Sequence, residues 1–156
     1  MAKFRLLLIF LRLFFSFLMA LFVLFETGLQ MLVDNPTMYY REEDCARFMA
    51  SIPLPTDETV SLAAKVGEYA IVAKRKGDKW YIGGMTNNKE KERVFELPLN
   101  FLPEGSTWKM VSYEDGVNAN KQAMHYVKRE QEVKKGQTIR VKMARNGGFA
   151  AVLSFK

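Results

Sequence analysis

Carboxylates are the side chains of this sequence best suited to chemistry. Two of them facing one another across a sugar can serve as acid and base, or as acid and nucleophile, in glycoside cleavage. The candidates are Glu26, Asp34, the pair Asp57–Glu58 and the pair Glu114–Asp115. None stands at a spacing that by itself specifies a site. Asp115 precedes Gly116 and reads as turn chemistry, while Asp57–Glu58 follows two prolines and reads as a linker contact. Asp34 ends a short apolar run, where carboxylates of a parallel barrel face the mouth of the active site, so it is the best-placed candidate.

Other chemistries are bounded more tightly. The 156 residues hold one histidine, His125, and one cysteine, Cys45. A single cysteine makes no internal disulfide, and one of each residue cannot build a His/Cys zinc site within one chain. A Ser-His-Asp triad would have to run through His125, which falls inside a predicted strand with no partner in sequence and reads as structural or surface. Phosphate loops, the dinucleotide-binding glycine pattern and paired-cysteine motifs are absent. Lys74-Arg75-Lys76 and Lys128-Arg129, with Trp80 and Tyr81 nearby, have the composition of a nucleic-acid patch. They alternate with apolar residues or sit in turns, and Glu68, Asp78, Glu130 and Glu132 dilute them, so they read as a solvated sheet face and no nucleic-acid partner is expected. Trp80, Tyr81 and Trp108 could stack on a sugar, but aromatic residues on strands more often fill cores.

The elements that must position these groups divide the chain in two. Residues 1–25 contain 21 apolar residues, broken only by Lys3, Arg5, Arg12 and Ser16. Residues 57–156 carry 18 basic and 12 acidic side chains, so the whole net charge of +6 lies there. Residues 6–25 have the length of a membrane span, about 20 residues for a hydrocarbon core of roughly 30 Å. Arg12 opposes that reading, at a cost of about 2.5–3.5 kcal/mol near the bilayer centre. The alternative is a helix taken from a larger protein whose neighbours once covered it. Leu29 to Val33 reads as a buried strand and Asp34–Thr37 as a turn. Between Tyr40 and Ile52, the positions Cys45, Phe48, Met49 and Ile52 form one helical face, with Glu42, Glu43 and Asp44 at the favourable N-terminal end. On that face Cys45 is a small core residue, not a nucleophile. Pro53 and Pro55 stop the helix, and 53–59 reads as an extended linker.

Beyond it the period becomes two. Residues 68–85 read as a hairpin turning at Gly77-Asp78, with Gly83-Gly84 marking a bulge or a close backbone approach. Further strands are expected over Arg93–Leu99, Thr107–Tyr113, Met124–Val133, Ile139–Ala144 and Phe149–Phe155. That makes about seven strands joined by glycine-containing turns, the pattern of an antiparallel sandwich or barrel.

Several strings resemble glycoside hydrolase family 97. Glu26–Pro36 (ETGLQMLVDNP) resembles the family's ESPLQMLADSP, and Thr56–Thr59 resembles its WDET with Thr56 in place of Trp. Gly67–Thr86 (GEYAIVAKRKGDKWYIGGMT) resembles GEYVVIARRKGDEWYIGAMT, and Tyr113–Ala119 is similar to YxDGxxA. The resemblance runs from about Ala20 to the end. It implies an α-glucosidase or α-galactosidase parent with an N-terminal sandwich, a central (β/α)8 barrel and a C-terminal sandwich assigned to oligomerisation. Residues 60–156 would be that last domain and residues 20–52 the end of the barrel. The parent's catalytic carboxylates and calcium ligands would lie upstream, so no catalytic, metal or cofactor residue is assigned here; Asp34 matches a family aspartate not taken as catalytic. Residues 1–19 depart from the family pattern.

The expectation is a mainly β chain. Residues 1–55 form an apolar helix, a short strand and an amphipathic helix left from a barrel, and residues 56–156 form a C-terminal antiparallel β-sandwich. Its function is non-catalytic oligomerisation or packing within a carbohydrate hydrolase, with no site or cofactor of its own. The expected partners are a second copy or the missing barrel, with a membrane contact through residues 6–25 and carbohydrate binding as lesser alternatives. The family points to a periplasmic or extracytoplasmic location. The apolar leader is expected to make the chain associate or aggregate unless residues 1–35 are removed.

Overall fold

The computed structural model describes residues 15–26, 36–116 and 126–155. The predicted strand at Leu29–Val33, the turn with Asp34, and His125 lie outside them. Three helices come first among the described residues: α1 (Phe15–Leu24), α2 (Pro36–Arg41) and α3 (Glu43–Ser51). Eight strands follow among the described residues: β1 (Glu58–Lys65), β2 (Tyr69–Lys76), β3 (Lys79–Thr86), β4 (Glu92–Pro98), β5 (Thr107–Asp115), β6 (Tyr126–Lys134), β7 (Thr138–Ala144) and β8 (Gly148–Phe155).

Six strands form one antiparallel sheet in the order β1-β2-β3-β8-β5-β6, and β4 pairs with β7 in a second sheet of two strands. The hairpin of β2 and β3 closes between Lys76 and Lys79, which face each other. Gly77 opens that two-residue turn at φ 58°, and a positive φ at the first loop position suits the twist of the flanking strands.

Alternation along the strands sends side chains to two separate cores. On one face of the large sheet, Ile71, Trp80, Ile82, Trp108, Met110, Phe149 and Leu153 pack with Leu97, Ile139, Val141 and Met143 from the small sheet. This is the expected sandwich. On the opposite face, Tyr81, Tyr113 and Ala150 pack with Met19 and Val23 of α1 and with Cys45, Phe48 and Met49 of α3. Coverage of both faces explains why Trp80 to Gly84 are buried without a break.

The ten described residues of α1 would be marginal as a helix alone in water. Packing decides the matter: Met19 and Val23 are buried, each worth roughly 1.5–3 kcal/mol. The sheet makes room with small residues. Gly83 sits opposite Ala150 on β8. A Cβ on Gly83 would come within 2.7 Å of Val23 Cβ and 2.9 Å of the Ala20 carbonyl oxygen. A Cβ on Gly148 would strike the backbone of Phe17. The Gly83 signal in the sequence is therefore a close approach of helix to sheet.

Three expectations change. The segment 53–59 is not linker throughout, because β1 begins at Glu58 and pairs with β2 from Glu58↔Arg75 to Lys65↔Tyr69. The single helix expected over Tyr40–Ile52 is two, broken at Glu42, where φ is −116° and ψ 51°; Cys45, Phe48 and Met49 are still its buried face. The part of the leader in α1 is not a helix without neighbours, since its own sandwich covers one side of it. No helix among the described residues is long and apolar enough to cross a membrane, and residues 6–14 of the span expected over 6–25 lie outside them.

Candidate functional site

Asp34 lies outside the described residues; the other carboxylates chosen from sequence are each engaged in holding the fold. Glu26, just past α1, accepts from Thr56 Oγ1 at 2.6 Å and Thr56 N at 3.3 Å. These bonds, with Lys74 beside it, hold its carboxyl below the usual range. Asp57 accepts from Lys76 Nζ and from the Gly77 amide, both at 2.8 Å, and is held low for the same reason. Together they tie the approach to β1 onto the hairpin turn. Glu58 pairs with Arg75 across the β1–β2 ladder at 3.0 Å. Glu114 accepts from Ser112 Oγ at 3.0 Å and lies 3.5 Å from Arg129.

Asp115 ends β5 and does more than turn the chain. It accepts the hydroxyl of Ser16 in α1. It also accepts the amides of Ala144 at 2.8 Å and Gly148 at 3.1 Å, on either side of the β7–β8 turn. Burial pushes its carboxyl above the ordinary aspartate range, and the three hydrogen bonds offset part of that rise. One carboxylate thus joins the first helix, the fifth strand and the last turn. Gly147 leaves space for it, because a Cβ there would collide with Asp115 Oδ2.

The described partnerships of these acids are with hydroxyls, amides and cations, so none of them joins two carboxylates in the facing pair that glycoside hydrolysis requires. An open hollow of about 610 Å³ lies between the turns at Gly105 and Gly136. Glu104 is the one carboxylate lining it, and Lys135 pairs with that side chain at 3.1 Å. No group of three or more His, Cys, Asp or Glu side chains gathers as a metal site among the described residues.

The remaining described candidates are structural. Burial pushes the Cys45 thiol up to about 11, which removes it as a nucleophile near neutral pH. Trp80, Tyr81 and Trp108 are 2 %, 3 % and 3 % exposed, so they form no stacking platform. The two tryptophans enter the sandwich core and Tyr81 points to the helices, where its hydroxyl donates to the Ser51 carbonyl at 2.9 Å. The basic runs are not uniformly solvated. Lys74 is only 4 % exposed and donates to the Leu24 carbonyl at 3.3 Å, capping the C-terminal end of α1, where a cation suits the dipole. Lys128 binds Asp44 of α3 at 2.8 Å and lies over the Tyr113 ring.

Sequence reasoning passed over Ser16 and Lys74, which fasten the two ends of α1. Ser16 stood out only as a polar break in an apolar run, and Lys74 only as part of a charge run.

Comparison with known proteins agrees with this geometry. A family model described as "Glycosyl-hydrolase 97 C-terminal, oligomerisation" matches residues 55–154. A protein named "Retaining alpha-galactosidase", from Bacteroides thetaiotaomicron, is 39% identical over 132 residues, which is 85% of this chain and 20% of that protein. The chain spans about a fifth of the length of the curated relatives it matches. Among solved structures, a Glycoside Hydrolase Family 97 enzyme from Pseudoalteromonas sp. strain K8, in complex with acarbose, superposes with a TM-score of 0.86 at 25% identity. The match covers 93% of this chain and 23% of that one. A beta-arabinopyranosidase shares the fold alone, with a TM-score of 0.71 at 22% identity over 88% of this chain and 20% of that one.

Proposed function

This chain belongs to the glycosyl-hydrolase 97 C-terminal, oligomerisation family, and on that footing we propose that it is the assembly end of an α-glycosidase, holding subunits together without turning over substrate itself. The observation that carries the reading is the engagement of Glu26, Asp57, Glu58, Glu114 and Asp115 in fastening helix to sheet and strand to turn. A carboxylate fixed in this way is a joint, not an acid waiting for a glycosidic oxygen.

The rest of a catalytic barrel is the second partner. Phe17 and Leu21 of α1 are only partly covered. A helix apolar on all sides is one that neighbours enclose in the parent protein. Hydrolysis of α-galactosides or related α-glycosides then belongs to the joined protein, with any calcium held by residues outside this chain.

The test combines light scattering with an activity assay. The purified chain is expected to scatter with the mass of an oligomer and to leave aryl α-galactosides and aryl α-glucosides intact, with or without calcium. Turnover above background would overturn the non-catalytic reading, and a monomer at every concentration would overturn the assembly reading.

A further inference from the structure

We infer that two copies of this chain join through β1, each Glu58–Lys65 strand pairing antiparallel with the other so that two six-stranded sheets become one. The inference rests on the self-association reading and names its surface.

The two edges of the large sheet are β1 and β6. An edge strand exposes unpaired N–H and C=O groups, and proteins guard such edges with charge, proline, short length or a β-bulge. The β6 edge is guarded: Lys128, Arg129, Glu130, Glu132 and Lys134 fall within its 9 residues. The β1 edge is as long as its neighbour, 8 residues, yet Thr59 to Ala64 contains neither charge nor proline. No described strand pairs with its outer side.

The charges that β1 does carry favour its own copy. They stand at its two ends with opposite sign. A two-fold axis between Ser61 and Leu62 places Thr59 opposite Ala64, Val60 opposite Ala63, and Glu58 of each copy opposite Lys65 of the other. Opposite charges across an antiparallel pair stabilise it and like charges destabilise it. The same operation on β6 fails at its centre. An axis at Glu130 sets that residue against itself, and an axis at Gln131 sets Lys128 against Lys134 and Glu130 against Glu132.

Within the chain, Glu58 already binds Arg75 at 3.0 Å and Lys65 binds Glu68 at 2.9 Å. Their side chains are still 48% and 61% exposed, which leaves oxygen and ammonium surface for a second partner. Val60, Leu62 and Ala63 pack only partly on the sandwich core, and a facing strand would cover more of them. The one guard β1 carries is the shift of register between Ser61 and Ala63, and it lies at the proposed axis, where both copies present the same kink to each other.

Sedimentation velocity of the full chain over a range of concentrations tests this, with thermal melting to verify folding. Ser61 and Ala64 are exposed, so Ser61→Lys with Ala64→Lys is expected to yield a folded monomer. Glu58→Lys is expected to weaken dimerisation about tenfold, and adding Lys65→Glu to restore it. The charge-swap pair decides the question if the double lysine variant fails to fold. Variants that dimerise like the parent chain, in a parent that does dimerise, would overturn the β1 surface and leave self-association standing. A parent chain that stays monomeric would overturn both.

Discussion

Ser16 donates its hydroxyl to the Asp115 carboxylate across 99 positions of sequence, joining the first described helix to the end of the fifth strand. The same carboxylate receives two amides of the β7–β8 turn. Replacing Asp115 with Ala leaves those part-buried donors without their acceptor. The expected loss is at least about 2 kcal/mol, read as a lower urea midpoint, and Ser16→Ala should lose less because both amides keep their partner.

The pH dependence of that joint has a definite sign. Burial raises the Asp115 carboxyl in the folded state, so between the ordinary aspartate range and the folded value the folded form holds a proton that the unfolded form has released. Its contribution is complete below the ordinary aspartate range and is lost as pH rises through the folded value. The stability of the parent chain relative to Asp115→Asn should therefore increase as pH falls from 7 toward 4. Glu26 and Asp57, both held low, act in the opposite direction and favour the folded state above the ordinary carboxylate range. Comparing the two chains at each pH cancels these terms, and a flat difference would contradict the assignment.

Gly83 and Gly148 are the points at which α1 touches backbone. Gly83→Ala is expected to destabilise by about 1–3 kcal/mol, because the new methyl must displace Val23 and the Ala20 carbonyl. Gly148→Ala should do at least as much, since the nearest atoms its methyl meets are all backbone, in Phe17 and Ser16. Gly67 provides the control: its φ is 71° and nothing lies nearby, so Gly67→Ala strains the turn but leaves α1 seated.

Removing residues 1–35 should harm the domain instead of rescuing it. The deletion strips Met19 and Val23 from the face that carries Tyr81, Tyr113 and Ala150. The shortened chain is expected to bind a hydrophobic dye more strongly and to melt at a lower temperature. Equal or higher stability would show that α1 is dispensable.

Cys45 should resist thiol reagents in the folded chain at pH 7.5, with labelling appearing only in denaturant. Its thiol is buried, and ionisation waits until about pH 11.

Much of the sandwich was legible in the sequence because its strands keep strict alternation. Trp108 and Met110 face one core while Val111 and Tyr113 face the other, as their spacing implies. The strand β1 was hidden by its own irregularity: Leu62 lies in the register shift, so inward and outward positions exchange midway. The burial of Trp80 and Tyr81 together was hidden for a different reason. Neighbouring residues on a strand point to opposite faces, and sequence does not show that both faces are covered. The roles of Lys74 and Ser16 depend on where α1 lies, a tertiary fact that no local pattern carries.

Both tryptophans of the chain, Trp80 and Trp108, belong to the compartment between the two sheets, whereas Tyr81 and Tyr113 belong to the compartment under the helices. Intrinsic fluorescence is thereby sorted by layer. Indole emission follows the sandwich interior, and lifting α1 from the sheet would register first in the tyrosine bands of the near-ultraviolet dichroism.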